Sequence, residues 1–539
     1  MTTATKTPDL DALSPDELRA MVIALLGKVA KLEAQVVALT EENARLKDLK
    51  CRPKLKASGM EKGTEPTAAL AEGDDSKAPR RKKKRGQRDK APKSARMIVS
   101  EERELPLAPE PGWRFKGYKL YTVQELVIEV RAIRYWRPWY LKPDGKIVVA
   151  PLPQDVRGHY GPNLVRYLLS QHYQCRVTMP LLHQQVQDFG VLISTGQISN
   201  LLTKGHEPFH HEKTAFKQAG LETAQWISVD DTGARHLGCN CFTTQIGDDR
   251  FTSFDTVASK SRLMFLMTLR GEFQDYVINA AALVYLHEMG APPALIDSMI
   301  DQEGRSFADE DAWTNHLIAI SVTGTKAVRL ATEAAVAGSL SHHGLLKDAV
   351  IVSDGAGQFD VFRHALCWIH AERLIHRLIT VTEAQRAAVA LVRLLIWWFY
   401  RDLKLYRAEP SAQAKASLKA RFDRIFDRTT GFTDLDEALV RLKLRKAELL
   451  AVLDRPEVPL NTNISEQEIR DPVTLRKISG GTHSEDGRRS RDTFLSLKKT
   501  CQKNAISFWA YLGDRLGITA GSVAPLADII RGRAAPARA

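Results

Sequence analysis

The chain has few cysteines. There are six in 539 residues, at scattered positions: Cys51, Cys175, Cys239, Cys241, Cys367 and Cys501. This number and spacing do not form a disulfide framework, so a reducing compartment is expected. Long apolar runs are also lacking, because the most apolar stretch, residues 394–400, is far too short to span a bilayer. Since no signal-peptide pattern is present either, the sequence predicts a cytoplasmic protein.

The chain has fewer acidic than basic residues. The 77 Lys and Arg residues outnumber the 64 Asp and Glu residues and give a net charge of +13. A basic balance favours a polyanionic partner such as DNA, although an ordinary basic soluble protein fits it too. With 44% apolar residues, the chain is long enough to build about two to four domains with their own cores.

Residues 14–49 show a seven-residue repeat. Leucine recurs every seventh position, and a valine or an asparagine follows each of the first four leucines by four residues. The leucines are Leu18, Leu25, Leu32, Leu39 and Leu46, and the other positions are Val22, Val29, Val36 and Asn43. The pattern is typical of a parallel two-stranded coiled coil in which the buried asparagine fixes register. It predicts a homodimer through residues 14–49, with a lone amphipathic helix as the alternative.

Residues 50–98 show no periodicity and are predicted to be a flexible linker. The linker contains an uninterrupted basic run, Arg80, Arg81, Lys82, Lys83, Lys84 and Arg85. Such a run binds DNA phosphates without sequence preference, or it serves only as a solvated tether.

Two further regions follow the linker. In residues 99–155, apolar residues alternate with charged ones over 118–122, 124–130 and 133–140, which predicts a small β-rich domain. Residues 156–215 predict short helices at 163–170 and 180–189 and a third from Ser194. This arrangement fits a helix-turn-helix-like DNA-binding domain or an ordinary helical bundle.

Three acidic residues stand at informative places. Asp230 ends the apolar run 226–229, Asp354 ends the run 349–353, and Glu466 opens a polar helical stretch. Carboxylates at the ends of strands lie at the mouth of a sheet, where ligands bind in open α/β folds. Three converging carboxylates repel one another unless a cation joins them, and hard oxygen ligands favour Mg²⁺ or Mn²⁺. Any one of them taken alone is more simply a cap or a surface charge.

Several ordered segments resemble one family. Residues 229–232, 352–357, 367–373 and 463–470, with a later block at 496–512, are similar to the signature blocks of the insertion-sequence-66 family of DDE transposases. The resemblance implies a multidomain α/β protein with a ribonuclease-H-like catalytic core. The first part of that core is expected at 222–380 with an insertion at about 272–345. A helical insertion is expected at 381–455, the second part of the core at 456–515, and a flexible tail at 516–539.

The resemblance also implies a site. Asp230, Asp354 and Glu466 match the catalytic triad and would hold two Mg²⁺ (or Mn²⁺) ions. Cys367 and His370 match a Cys-x-x-His element, which we interpret as packing or orientation because two further zinc ligands are lacking nearby. Zinc is not expected in residues 99–155 either, since no cysteine lies where the family carries a zinc finger. The expected DNA contacts beyond the basic linker are Arg470, Arg488, Arg489, Arg491, Lys498 and Lys499, with pairing to Glu466 as the alternative for Arg470.

The implied function is DNA transposition. Metal-dependent cleavage at the element ends would be followed by strand transfer into target DNA, with double-stranded DNA as the partner in the nucleoid of a bacterial cytoplasm. Accessory proteins of the same element are further candidate partners. Two alternatives stay open: a catalytically silent, transposase-derived DNA-binding protein, and a ribonuclease-H-like nuclease that cuts without strand transfer.

Overall fold

The computed structural model describes residues 99–108, 110–153 and 158–534. The predicted coiled coil at 14–49, the linker at 50–98 with its basic run Arg80–Arg85, and the last five residues lie outside the described residues. The dimer and the basic arm therefore stay predictions.

The described residues before 154 form little regular structure. They contain one short antiparallel hairpin, β1 (Trp139–Leu141) and β2 (Ile147–Val149). Residues 118–130 are neither helix nor strand, and their apolar side chains are exposed. The expected strands at 118–122 and 124–130 are therefore wrong. Alternation stabilises a strand only when a second layer covers its apolar face, and in the described part of the chain no layer does so.

A group of helices follows the hairpin. It comprises α1 (Pro162–Leu169) with a π-helical turn (Ser170–Gln174), α2 (Met179–Asp188), α3 (Thr195–Thr203) and α4 (Glu207–Thr223). The predicted helices are confirmed, and Ser194 caps α3 by accepting a hydrogen bond from the Gln197 backbone N–H at 3.2 Å. Their buried residues, Leu168 and Ile198 among them, belong to the same core as Phe494 near the other end of the chain. This helical region is therefore packed into the main body.

The centre of the fold is a mixed five-stranded sheet. Its strands are β3 (Trp226–His236), β4 (Cys239–Gly247), β5 (Thr252–Val257), β8 (Val350–Ser353) and β9 (His364–Leu366). The order is β5-β4-β3-β8-β9, with β3, β4 and β5 antiparallel and β3, β8 and β9 parallel. The apolar runs before Asp230 and Asp354 thus form neighbouring strands, β3 and β8.

The segment between β5 and β8 is largely helical, as expected for residues 272–345. Its elements are α5 (Arg262–Arg270), β6 (Tyr276–Val277), α6 (Ala280–Glu288), α7 (Pro293–Ile300), β7 (Ser306–Phe307), α8 (Glu310–Ala319) and α9 (Thr325–His342). Trp313 is fully buried, and the alanine-rich face of α9 lies in the main core. The segment is thus part of the body of the protein, and its last helix leads into β8.

Close packing of α9 gives a testable prediction. A Cβ atom added at Gly338 would lie 2.0 Å from the carbonyl oxygen of Val277, so the helix or β6 would have to move. We expect Gly338→Ala to lower the free energy of unfolding by about 1–3 kcal/mol or more, the typical cost of overpacking. Gly196→Ala is the matched control, because a Cβ at Gly196 in α3 meets nothing within 4 Å. Urea denaturation should show the control unchanged or up to about 1 kcal/mol more stable. Equal stability of the two variants would contradict the packing.

The chain ends in helices. These are α10 (Trp368–His376), α11 (Glu383–Ala408), α12 (Ala412–Phe426), α13 (Thr433–Leu444), α14 (Lys446–Leu449), α15 (Asn463–Ser479), α16 (Glu485–Lys503), α17 (Phe508–Arg515) and α18 (Leu526–Gly532). The helical content expected for residues 381–455 is confirmed by α11 to α14. The flexible tail expected from 516 is wrong over α18, which packs on α4 and buries Leu526 and Ile530. The fold is mixed α/β with mostly helical content.

Candidate metal-binding site

Two of the three predicted carboxylates lie side by side. In the parallel pair β3–β8, Ser228 is opposite Val352, and Asp230 and Asp354 each come two residues later. Asp354 is the first residue after β8, as expected, whereas Asp230 lies within β3, which continues to His236, so the expectation that Asp230 ends a strand is wrong. Both residues come from adjacent parallel strands, two residues beyond a paired position. The two carboxylates interact, since Asp354 contributes to a rise in the pKa of Asp230.

The carboxyl group of Asp230 has a raised pKa. Burial raises the pKa of its carboxyl from 3.8 to about 6, the backbone N–H of Asp231 opposes this rise, and the charges of Asp354 and Asp231 add to it. Its negative charge is thus poorly compensated by protein groups, which is the condition that a bound cation relieves.

The neighbouring Asp231 has other partners. Its carboxylate accepts from the Lys260 ammonium at 2.5 Å and from the Gln358 amide at 2.7 Å. Asp354 is exposed, and its Oδ1 accepts a hydrogen bond from the Ala356 backbone N–H at 3.0 Å. Of the adjacent pair in β3, Asp231 is therefore the one that pairs with a lysine, whereas His370 opposes the raised pKa of Asp230 only in part.

Glu466 lies in the first turn of α15. Ser465, one residue earlier, is fully buried and hydrogen-bonds Ser228 of β3, which fixes the start of the helix against the sheet. Glu466 Oε1 lies 3.5 Å from the Arg373 guanidinium and 3.6 Å from His370 Nε2. Within the described part of the chain this buried oxygen accepts no hydrogen bond. A buried carboxylate oxygen without a donor fits a hard cation such as Mg²⁺.

The Cys-x-x-His element connects α10 to α15. Cys367 caps α10, and its sulfur accepts from the backbone N–H of Thr462, the residue that caps α15, at 3.4 Å. Burial lowers the pKa of His370, but the neighbouring Cys367 and Asp354 outweigh it and the pKa is raised. The element thus places an imidazole ring with a raised pKa beside Glu466, and its role in packing or orientation stays a prediction.

The predicted DNA contacts divide into two groups. Lys498 is buried and pairs with Asp471 at 2.5 Å, and Lys499 pairs with Glu468 at 3.1 Å. The prediction that these two lysines contact phosphates at the surface is wrong, because α15 packs on α16 and supplies their acidic partners. The other group is more open: Arg470 is exposed, and Arg489 is exposed beside Glu207. Among the described residues the Glu466 ion pairs are with His370 and Arg373, and none is with Arg470.

Two predicted arginines are tied to backbone. Arg488 donates to the Thr256 carbonyl at 2.8 Å and pairs with Glu485, and Arg491 donates to the carbonyls of Gly480 and Gly481. Arg488 thus ties α16 to β5, and Arg491 holds the segment between α15 and α16, so a DNA contact would have to compete with these bonds.

A second cluster escaped the sequence reasoning. Asp360, His364 and Glu448 bring one ligand atom each within 4.8 Å of one another. Arg445 pairs with both Glu448 and Asp360, the latter at 3.4 Å. No spacing signal links His364 to Glu448, because the helices α10 to α13 lie between them in the chain.

Comparison with known proteins agrees with the resemblance. A family model described as Transposase IS66 family matches residues 333–490, the part that holds Asp354, Glu466 and the second cluster. The chain belongs to the IS66 transposase family. This membership supports a transposase role, with DNA as the implied partner and divalent metals as the ions that such enzymes generally use. None of the helices in the described residues is long and apolar enough to cross a membrane.

Two relatives of this IS66 family member come from Sinorhizobium fredii (strain NBRC 101917 / NGR234). The uncharacterized protein y4jO is 52% identical over 318 residues, which is 59% of this chain and 99% of y4jO. The uncharacterized protein y4qI is 25% identical over 169 residues, 30% of this chain and 31% of y4qI.

Proposed function

We propose that this IS66 family member is a DDE transposase that cuts DNA at element ends and joins the ends to target DNA. The observation that carries the proposal is the placement of Asp230 in β3 near Asp354, which follows the end of the neighbouring parallel strand β8. Glu466 supports it in two ways. One of its carboxylate oxygens is buried and accepts no hydrogen bond within the described residues. His370, which lies beside that carboxylate, has a pKa that Asp354 helps to raise, so Asp354 is near Glu466 as well. A mixed sheet in which Asp230 lies within β3 and Asp354 follows the end of the neighbouring strand β8 also supports the ribonuclease-H-like core.

Asp230, Asp354 and Glu466 are the residues that would hold two Mg²⁺ or Mn²⁺ ions. Bound there, the metals supply activation of a water or a 3′-hydroxyl and stabilisation of the leaving oxygen. Arg373 and His370 orient Glu466, while Lys260 and Gln358 hold Asp231 out of the ligand set. Exposed Arg470 follows Glu466 by one helical turn, within the region where a scissile phosphate would lie.

The predicted dimer and basic linker belong to the same proposal. A coiled coil through residues 14–49 would join two active sites, which coupled cutting of two DNA ends needs. The run Arg80–Arg85 would bind phosphates beside them through counterion release. Their support is the heptad pattern and the charge of the sequence.

The test is cleavage and joining of a labelled duplex containing the DNA that flanks the coding sequence. We expect Mg²⁺-dependent products from the wild-type chain, none with a chelator, and none from Asp354→Asn. Asp188→Asn is the control, since it neutralises an exposed carboxylate on α2 and should leave the products in place. Loss of products in Asp360→Asn but not in Asp354→Asn would move the metal site to Asp360, His364 and Glu448.

Pre-cut ends separate the alternatives. Joining of a pre-cut end to a target plasmid indicates transposition, whereas cleavage without joining indicates a nuclease. Tight DNA binding with neither product indicates a silent descendant and contradicts the proposal.

A further inference from the structure

The turn that carries Asp354 is held by the residue before it. Ser353 ends β8 and is fully buried. Its hydroxyl oxygen accepts a hydrogen bond from the Gly355 backbone N–H at 3.0 Å and lies 2.8 Å from His364 Nε2. A side chain on one side of Asp354 thus holds the backbone on the other side.

His364 of β9 extends this contact. Its side chain is 2% exposed, and its Nδ1 lies 3.0 Å from Glu448 Oε1. Because the Glu448 carboxylate only accepts, Nδ1 carries the ring hydrogen and donates it to Glu448. The other nitrogen of the neutral ring, Nε2, then accepts from the Ser353 hydroxyl. The three side chains form one directed series of hydrogen bonds.

Glu448 belongs to the helical region at 381–455, on α14. Burial would raise the pKa of its carboxyl, but hydrogen bonds from His364 and Arg445 lower it below the usual value. The acceptor at the end of the series is therefore ionised at neutral pH, and its charge is balanced by the Arg445 guanidinium.

Two other roles for this cluster do not fit. Both nitrogens of His364 are engaged and Arg445 already balances the carboxylates, so a cation would have to displace existing partners. A serine, histidine and carboxylate in series also resemble a hydrolytic triad, but Ser353 is 0% exposed and no substrate reaches its oxygen. Orientation of the turn is the role that remains.

We propose that the series Glu448–His364–Ser353 positions the Asp354 carboxylate for metal binding, which makes the helical region at 381–455 a working part of the active centre. The inference rests on the proposed function of Asp354. Outer hydrogen bonds of this kind fix the direction of a metal ligand, and their loss typically weakens metal affinity or activity by about 10- to 100-fold.

The experiment measures Mn²⁺ binding to the full chain by titration calorimetry without DNA, together with the metal dependence of cleavage. The variants are Ser353→Ala, Glu448→Ala and Glu448→Gln. Ser339→Ala is the matched control. Ser339 is an equally buried serine in α9, and its hydroxyl donates a hydrogen bond to Asp275 at 2.8 Å. Thermal unfolding of each variant shows whether the fold is intact.

We expect Ser353→Ala and Glu448→Ala to weaken Mn²⁺ binding by about tenfold or more, and to raise the Mn²⁺ concentration needed for half-maximal cleavage. Glu448→Gln should lie closer to wild type, since its amide oxygen still accepts from His364. The control should bind Mn²⁺ as wild type does, even if its melting temperature falls as far as that of Ser353→Ala.

Wild-type Mn²⁺ affinity in Ser353→Ala and Glu448→Ala would overturn the positioning role alone. Failure of the wild-type chain to bind Mn²⁺, or equal binding by Asp354→Asn, would overturn the proposed metal site and this inference together.

Discussion

Replacing Asp230 by asparagine should abolish DNA cleavage and, without metal, should make the protein more stable. The loss of cleavage should be at least about 1,000-fold, because a metal ligand supports several kcal/mol of transition-state stabilisation and each 1.4 kcal/mol is a factor of ten. The gain in stability follows from the pKa of Asp230, which burial and the Asp354 charge raise from 3.8 to about 6. The folded state therefore disfavours the ionised carboxyl.

The sign of the pH dependence follows from that rise. The contribution of Asp230 to stability is fully present below pH 3.8 and is lost as the pH rises to about 6. At pH 8 without metal, Asp230→Asn should have a free energy of unfolding higher than wild type by about 1–3 kcal/mol, since one pKa unit corresponds to 1.4 kcal/mol. Chemical denaturation between pH 4 and pH 8 measures the difference.

Asp231→Asn serves as the neighbouring control. Asp231 is held by Lys260 and Gln358, so its neutralisation removes favourable contacts and should lower stability. Adding Mg²⁺ should stabilise the wild type and leave Asp230→Asn nearly unchanged. A metal-free Asp230→Asn variant less stable than wild type would contradict the electrostatic account.

Replacing Asp471 by alanine should destabilise the protein by about 3–5 kcal/mol, the typical cost of removing one partner from a buried ion pair. Its carboxylate is nearly buried and contacts Lys498 at 2.5 Å, Arg176 at 2.5 Å and Lys499 at 3.3 Å. Without it, three cations would face one another beneath α15, in a place where water screens them poorly. Urea denaturation at pH 7 measures the loss, and exposed Asp188→Ala on α2 should change stability by no more than about 0.5 kcal/mol.

The pH dependence at Asp471 has the opposite sign from that at Asp230. Burial would raise the pKa of Asp471, but Lys498, Lys499 and Arg176 outweigh it and the pKa is lowered. Its contribution to stability is therefore fully present above the unfolded pKa of about 3.9 and is lost as the pH falls through the folded value. The difference in the free energy of unfolding between wild type and Asp471→Ala should become smaller below pH 4. A difference that does not change with pH would contradict its origin in the ion pairs.

The sequence predicts the parts of the site that depend on local pattern. Apolar, β-branched runs before Asp230 and Asp354 indicate strands, and both strands are present. Asp354 follows the end of β8 as expected, but β3 continues beyond Asp230 to His236. Helix signals were equally informative, as the Ser194 cap shows. The structure alone provides the register of β3 against β8, because pairing between strands more than 100 residues apart is set by packing.

Other features depend on partners distant in sequence. From the sequence, the adjacent lysines Lys498 and Lys499 look like residues that bind phosphate. Only the packing of α15 on α16 reveals Asp471 and Glu468 as their partners. Glu448 gives no sign in the sequence of its contact with His364. The strands expected at 118–130 failed for the reverse reason: their alternation is local, but the layer needed to cover them is absent from the described part of the chain.

Helix α16 joins the edge of the sheet to the helices that precede it. Asp492 accepts from Thr256 of β5 across 236 residues, and Ser490 donates to the Thr203 carbonyl of α3 across 287 residues. During synthesis these contacts form only after nearly the whole chain has left the ribosome, because such long loops close late. A chain interrupted between residues 355 and 462 carries both aspartates but lacks Glu466, α15 and α16. Translation interrupted there would yield a fragment that lacks Glu466 and in which α16 does not cover β5.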